Sequence, residues 1–416
     1  MAGAAQVAAG ASEPFITWQQ GGHTQQALWR SERCAPAPNR VVLADDTLAA
    51  NTAYRWACDG TGLLWQGDFN NARHLLQALM RRVDRPPRRQ DAPKASGRAV
   101  VQVDPAAAFH RHRQAQGHRA RVLAMLLIPL QADYGIALRR APDLRLACLQ
   151  AWGPADTAAP SGGDAEGAAA ATHSVASMRD LLGVVSAFEW RKKGVPIAAL
   201  GPAPHNRIHP HHGVFSPLRG EYVDLVAQAP LPSALRPGDT VMDIGTGTGV
   251  LAAVLARRGL AAVQATDTDP RALACAQDNL QRLGLRQQVQ LLQADLFPVG
   301  RAALVVCNPP WLPVRPGSPL ERAVYDEDSC MLCGFLNDLR EHLLPGGEGW
   351  LILSDLAEHL GLRTRQQLLG WVAAAGLQVL GRMDIRPTHR KVADGTDPLH
   401  AARAAEVTSL WRLGAA

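Results

Sequence analysis

Residues 240–249 read Thr-Val-Met-Asp-Ile-Gly-Thr-Gly-Thr-Gly, and this stretch decides the fold class. Its first half is apolar enough to form a short buried strand. Glycines at alternate positions follow at once, and residues 250–258 then show helical spacing. Because glycine lets the backbone approach a ligand closely, a strand, a Gly-rich turn and a helix predict a nucleotide-type binding turn in an α/β domain.

Acidic residues mark the end of this strand and of the next ones along the chain. Asp243 precedes the glycines, Asp267 follows a predicted second strand at 262–266, and Asp295 comes shortly after a predicted third strand at 289–292. A carboxylate before the glycines suits a cationic amino group and would repel a pyrophosphate. A carboxylate at the position of Asp267 can accept both hydroxyls of a ribose, and Asp295 could accept from an adenine amino group.

Each of these acids also has a purely structural interpretation. Asp243 could cap the Gly-rich turn, and Asp295 could be a turn residue. Asp267 could cap the next helix, but Asp269 stands directly before Pro270 and is the better N-cap. Taken together, their order at successive strand ends favours the functional interpretation.

A further strand end carries the tetrapeptide Asn308-Pro309-Pro310-Trp311, after the apolar run 302–307. The prolines stop the strand and stiffen the backbone where open α/β sheets bind their ligands. The Asn308 side-chain oxygen and the Pro309 carbonyl can accept the two hydrogens of an NH₂ group, and Trp311 can stack on a planar substrate. The motif predicts a site that positions an amino or amide nitrogen.

The ordered motifs resemble those of the class I S-adenosylmethionine-dependent methyltransferases, in particular the branch with an (Asn/Asp)-Pro-Pro-aromatic motif. That branch includes DNA adenine amino-methylases, ribosomal RNA guanine amino-methylases, and glutamine methylases of release factors and a ribosomal protein. The resemblance covers residues 231–413 and implies a seven-stranded Rossmann-like sheet with S-adenosyl-L-methionine as cofactor. It implies catalytic roles for Asn308, Pro309, Pro310 and Trp311, and cofactor contacts for Asp243, Gly245, Thr246, Gly247, Gly249, Asp267, Asp295, Leu296 and Asn308.

The motifs are compatible with two classes of nitrogen atom as the methyl acceptor. We expect methylation of an exocyclic amino group of a nucleic-acid base, foremost in ribosomal or other RNA, which would require the base to be splayed or flipped out. The alternative is the side-chain amide of a glutamine in a release factor or ribosomal protein. Against it, Trp311 stands where those enzymes usually have Tyr, and residues 312–332 lack their Glu-Pro segment. Asp243 and the Asn-Pro-Pro-Trp turn argue against an NAD-dependent oxidoreductase. The complete set of expected site residues argues against a non-catalytic S-adenosylmethionine-binding module.

The rest of the 416-residue chain leaves room for further domains. Residues 41–46 and 63–66 read as strands and 71–83 as a helix, which resembles the degenerate duplicate domain that RNA guanine methylases carry. Ala-, Gly- and Pro-rich or basic stretches predict linkers, one of them over 85–98. The expected organisation is a disordered tail (1–13), an N-terminal α/β domain for substrate recognition (14–152), a flexible linker (153–175), a connecting segment that roofs the cofactor through Phe215 and Ser216 (176–230), and the methyltransferase domain (231–416).

The chain is basic, with a net charge of +6 and a pI of ≈ 9.1, which favours an acidic partner. Its charged fraction of 19% is nevertheless low for a nucleic-acid binder. Basic residues cluster over 109–121, in a helical pattern, and before the last strand. They could contact phosphates, while a solvated surface is the alternative. The second cluster comprises Arg382, Arg386, His389, Arg390 and Lys391.

Cysteine use and the absence of targeting signals indicate the compartment. The 7 scattered cysteines suit a reducing environment, and Cys330 and Cys333 fit two helix residues better than a zinc or redox site. The chain has no basic start and no apolar run of about 20 residues, so a cytoplasmic location is expected. The histidines between 205 and 212 lack acidic or thiol partners at ligand spacing, and no metal is expected.

Overall fold

The computed structural model describes residues 15–85, 104–154, 172–318, 320–388 and 394–416. The chain divides into two compact units, one of Met1–Arg98 with Gln114–Ser186 and one of Ala99–Arg113 with Ala187–Ala416. The tail expected over 1–13, nearly all of the linker over 85–98, residues 155–171 of the second linker, and His389, Arg390 and Lys391 lie outside the described residues. The expected domain boundaries stay predictions.

The first unit is built on a six-stranded mixed sheet. Its elements, together with two helices that continue into the second unit, are β1 (Phe15–Gln20), β2 (His23–Arg30), β3 (Arg40–Ala44), α1 (Ala50–Cys58), β4 (Thr61–Trp65), α2 (Phe69–Val83), α3 (Pro105–Leu123), β5 (Leu126–Leu130), α4 (Arg145–Trp152), β6 (Ser174–Ser177) and α5 (Met178–Lys193). The strand order is β1-β2-β6-β5-β4-β3, with β3, β4 and β5 parallel and β1 and β2 an antiparallel hairpin. Strands β3 and β4 and helix α2 lie where the sequence predicts them, so the N-terminal region is α/β; its origin as a degenerate duplicate stays a prediction.

The second unit contains the predicted seven-stranded sheet, in the order β11-β10-β9-β12-β13-β15-β14. Its strands and helices are β7 (Val195–Pro196), β8 (Arg207–Ile208), α6 (Glu221–Gln228), β9 (Val241–Ile244), α7 (Val250–Arg257), β10 (Val263–Asp267), α8 (Pro270–Arg282), β11 (Val289–Gln293), β12 (Ala302–Cys307), α9 (Cys330–His342), β13 (Leu343–Ser354), α10 (Leu356–His359), α11 (Arg365–Ala374), β14 (Leu377–Ile385), α12 (His400–Ala405) and β15 (Thr408–Ala415). Strands β9 to β13 pair in parallel, and β15 pairs antiparallel with both β13 and β14. The Rossmann-like sheet and its closing hairpin are therefore confirmed.

The two faces of this sheet are covered by different helices. Alternate residues of β9 enter different clusters: Val241 packs with α6 and α7, whereas Met242 packs with α9 and α11. The chain runs from β9 outward to β10 and from β12 in the opposite direction to β13. The strand order thus reverses between β9 and β12, and open α/β sheets bind ligands in the crevice at such a point, outside the carboxyl ends of the strands.

The end of helix α9 differs from the sequence prediction. In the sequence, residues 328–344 read as a helix and Pro345, Gly346 and Gly347 as its stop, but α9 ends at His342 and these three residues lie inside β13. Gly346 has a φ of +75°, and the register between β12 and β13 shifts opposite this stretch. The glycines therefore form an irregularity within a long strand, because a bulge needs the same backbone freedom as a helix stop.

Two further sequence expectations concern helices. Cys330 and Cys333 both lie in α9, as expected. None of the described helices combines the length and the apolar character needed to cross a membrane. The cytoplasmic location stays a prediction.

Candidate active site

The Gly-rich turn between β9 and α7 needs glycine at its two ends. Gly245 has a φ of +71°, and a Cβ there would lie 2.7 Å from Cε of Met331. Gly249 is the left-handed N-cap of α7, with a φ of +79°, and a Cβ there would lie 3.1 Å from Cβ of Ala276. Both positions combine a left-handed backbone with close neighbours, so the turn lies tightly against α9 on one side and α8 on the other.

Asp243 lies under this turn and is fully buried. Its Oδ2 accepts hydrogen bonds from the Thr246 hydroxyl at 2.6 Å and from the Ala252 amide at 3.0 Å. Its Oδ1 has no hydrogen-bond partner within the described part of the chain. Burial raises the pKa of Asp243 to about 6. The carboxylate therefore holds the turn, as the structural interpretation has it, and also keeps one unpaired oxygen that a cationic donor would satisfy.

Asp267 joins the end of β10 to the same turn. Its Oδ2 accepts from the Gly247 amide at 3.0 Å, and its Oδ1 accepts from the Asp269 amide at 3.0 Å. Burial raises its pKa as well. Asp269 caps α8 by accepting from the Arg271 amide, so the cap falls on the residue that the sequence favours. Asp267 is thus oriented at the carboxyl end of the sheet, next to the glycines.

Asp295 and Leu296 lie at the end of the neighbouring strand β11. Asp295 is exposed. Leu296 has a left-handed backbone, with a φ of +64°, and its carbonyl accepts from the Thr266 hydroxyl at 2.6 Å. Its side chain packs at the margin of the cluster formed with α9, and its Cδ1 lies 2.8 Å from where a Cβ on Gly334 would stand. The adenine contacts of both residues stay predictions.

Helix α9 contributes a residue to the site that sequence reasoning missed. Met331 lies in the first turn of α9, and its methyl group is the neighbour that a side chain at Gly245 would meet. Asp326 fixes this turn, because its two carboxylate oxygens accept from the amides of Met331 and Leu332 at 3.0 and 3.1 Å. No local motif in the sequence marks Met331, since its role follows from packing across the crevice.

The tetrapeptide stands at the carboxyl end of β12, beside the crevice. Asn308 is half-buried, Pro309 is buried and Pro310 is half-buried. The indole Nε1 of Trp311 donates to Oδ1 of Asn308 at 2.9 Å. Because a carboxamide oxygen has two lone pairs, this bond orients the Asn308 amide and leaves one acceptor position. The sequence predicts the stacking ring of Trp311 but gives no sign of this hydrogen bond.

The connecting segment before the sheet is held against α8. The amide of His209 donates to Oδ1 of Asn279 at 2.7 Å, and Nε2 of His211 lies 2.9 Å from the Asp278 carboxylate. The described residues contain no group of three or more His, Cys, Asp or Glu side chains placed to hold a metal ion. Phe215 is about one-third exposed and the Ser216 hydroxyl is buried, and their contact with a cofactor stays a prediction.

Known proteins are similar to parts of this chain. The family model of the methyltransferase small domain matches residues 205–362. A tRNA1(Val) (adenine(37)-N6)-methyltransferase of Shewanella loihica is 30% identical over 42% of this chain and 72% of its own length. A release factor glutamine methyltransferase of Moorella thermoacetica is 42% identical over 27% of this chain and 42% of its own length. A ribosomal protein L11 methyltransferase of Pelotomaculum thermopropionicum is 48% identical over 19% of this chain and 26% of its own length.

The sheet order, the Gly-rich turn and the Asn-Pro-Pro-Trp turn at the switch point are the features of one class of α/β enzyme. The chain belongs to the class I S-adenosylmethionine-dependent methyltransferases that carry a methyltransferase small domain. The resemblance drawn from the motifs is confirmed. Because the chain spans 72% of one relative but only 42% and 26% of the other two, the activity and substrate of the whole protein are treated as proposals.

Proposed function

We propose that this protein transfers a methyl group from S-adenosylmethionine to an exocyclic amino nitrogen of a base in RNA. The observation that carries the proposal is the place of Asn308 and Trp311. They stand at the carboxyl end of β12, which pairs directly with β9, and β9 leads into the Gly-rich turn. A nitrogen acceptor and a nucleotide cofactor would therefore meet in one crevice.

The residues around the Gly-rich turn fit the family's cofactor. The unpaired Oδ1 of Asp243 would accept from the ammonium group of its amino-acid portion. Asp267, oriented at the end of β10, would accept from the ribose hydroxyls. The cofactor supplies an activated methyl group on its sulfonium, so the protein has to position the acceptor and need not activate the methyl.

Asn308 and Pro309 supply that positioning. The free acceptor position on Oδ1 of Asn308 and the Pro309 carbonyl would take the two N–H groups of the amino nitrogen, and the ring of Trp311 would stack on the base. These acceptors favour the nitrogen as it becomes tetrahedral and positively charged, so they stabilise the transition state more than the ground state. Positioning of this kind contributes roughly 7–11 kcal/mol in favourable cases.

RNA is favoured over protein as the source of the acceptor. The relative of which this chain spans the largest reported share is named for adenine methylation in tRNA. Arg386 is exposed just after β14 and could contact phosphates. Arg382, expected to do the same, instead donates to Asp384 at 2.6 and 2.8 Å and lies over the Trp411 ring. The second candidate is the amide of a protein glutamine, which the Moorella thermoacetica relative favours.

Labelled cofactor with either total RNA or total cell protein tests the proposal. We expect label in RNA. Asn308→Ala should lower transfer by roughly 10²- to 10³-fold, the loss typical of a removed transition-state contact. Its affinity for S-adenosylhomocysteine, measured by calorimetry, should be unchanged. Asn337→Ala, at an exposed position on α9, is the matched control and should behave as wild type.

Other outcomes are equally decisive. Label in protein alone would refute the RNA proposal and favour the glutamine alternative. Equal loss of transfer and of cofactor binding in Asn308→Ala would refute the role of Asn308. A wild-type protein that binds the cofactor and labels neither fraction would be a binding module or would act on a small molecule.

A further inference from the structure

We propose that the start of α3, through Phe109 and Arg113, is a positioning element for the acceptor side of the site. These residues belong to the second unit and lie about one hundred positions before the region that matches the family model. The proposal rests on the proposed function, and it concerns the segment that follows Trp311.

The acceptor segment comprises the described residues 312–318 and 320–326, and its two ends lie next to each other beside the tetrapeptide. The amide of Leu312 donates to the Val324 carbonyl at 3.2 Å, and the amide of Asp326 donates to the Leu312 carbonyl at 2.8 Å. Asp326 then fixes the first turn of α9. Because Leu312 directly follows Trp311, whatever holds this closed loop also sets the position of the indole.

Arg113 joins the two limbs of the loop. Its Nη2 donates to the Arg315 carbonyl at 3.1 Å and lies 3.5 Å from a carboxylate oxygen of Glu321. Its guanidinium carbon lies 4.0 Å from the centre of the Tyr325 ring, within the range of a cation–π contact. The same Glu321 oxygen accepts from the Gly317 amide at 2.8 Å. The Arg113 side chain thus contacts Arg315 on the first half of the segment, and Glu321 and Tyr325 on the second half.

Phe109 fixes the base of the same loop. It is 2% exposed and packs in an apolar cluster with Leu312, Leu356 of α10 and Leu399, the residue before α12. Phe109 and Arg113 are one helical turn apart, so both face the acceptor segment. Phe109, packed beside Leu312, and Arg113, bonded to the far end of the segment, would together hold Trp311 against Asn308.

Hydrogen exchange and methyl transfer together test this inference. In Arg113→Ala, the amides of Leu312 and Asp326 should exchange at least fivefold faster than in wild type. The ratio kcat/KM for transfer to total RNA should fall at least fivefold, and the affinity for S-adenosylhomocysteine should not change. Arg113→Lys keeps the charge without the planar donor fork, so its amide exchange and its kcat/KM should be intermediate between those of wild type and Arg113→Ala. Arg111→Ala, at an exposed position of the same helix, should match wild type in every readout.

Two results would overturn the inference. Unchanged exchange at both amides in Arg113→Ala and in Phe109→Leu would show that α3 does not hold the segment. Faster exchange with unchanged transfer would show that holding it has no part in positioning the acceptor. A wild-type protein without transfer would refute the proposed function instead, and the exchange measurement would still decide whether α3 holds the loop.

Discussion

Acidification should weaken cofactor binding, because the carboxylate proposed to receive the ammonium group titrates close to neutral pH. Burial raises the pKa of Asp243 from 3.8 to about 6. With that pKa, roughly nine-tenths of the molecules carry the ionised form at about pH 7 and roughly one-tenth at about pH 5. If only the ionised form pairs with the ammonium group, affinity should fall about tenfold over this interval. Burial also raises the pKa of Asp267, which acts in the same direction.

Isothermal titration with S-adenosylhomocysteine across this pH range is the assay. In Asp243→Asn, binding should be weaker at about pH 7, and the part of the pH dependence that Asp243 causes should vanish. Asp338→Asn, at an exposed position on α9, is the control and should keep the wild-type profile. A flat wild-type profile, or a slope equally steep in Asp243→Asn, would refute the assignment.

The same pKa has a consequence for the unliganded protein. The difference between the folded pKa of about 6 and the ordinary value of 3.8 corresponds to roughly 3 kcal/mol, which is the cost of keeping Asp243 ionised in the fold at about pH 7. Because the folded pKa is the higher one, this cost is full above about pH 6 and disappears below about pH 4. Wild type should therefore gain stability relative to Asp243→Asn on acidification, by up to about 3 kcal/mol in urea unfolding.

Other substitutions test the site and the core. Trp311→Phe keeps a flat ring but removes the donor to Asn308, so transfer should slow roughly fivefold, equivalent to about 1 kcal/mol, with unchanged cofactor affinity; unaltered rates would argue against the hydrogen bond. Glu348 is 5% exposed and accepts from Arg412 through both carboxylate oxygens. Glu348→Ala should therefore lower the free energy of unfolding, measured in urea, by about 3 kcal/mol. A loss no larger than that of Glu348→Gln would contradict this. Gly249→Ala should cost about 1–3 kcal/mol by the same measurement, because of its left-handed backbone.

Sequence reasoning predicted the placement of residues that stand at the carboxyl end of their own strand. Asp243, Asp267 and Asn308 each lie at or next to the end of a strand, and the parallel pairing of β10, β9 and β12 brings those ends to one edge. Local rules are sufficient here, because the carboxyl ends of parallel strands meet whatever the connections between them.

Contacts between distant segments could not be predicted in this way. The Met331 methyl group meets the turn at Gly245, and Arg113 meets Glu321 some two hundred positions later.

The hairpin of β1 and β2 is a different case. Its Gly21-Gly22 pair, with φ of +58° and +83°, is a recognisable turn signal, but the flanking strands are rich in exposed glutamine and lack a clear apolar alternation.

The place of Phe109 and Arg113 bears on how the protein should be produced for study. A fragment that begins at Ala187 and runs to Ala416 would keep the matched family domain and its whole sheet but would lose both side chains. Such a fragment would keep the Gly-rich turn and all the acids around it, so it should still take up the cofactor. Its methyl transfer should be slower, because the acceptor segment would lose both of its contacts with α3, and substrate screens therefore belong on the full 416-residue chain.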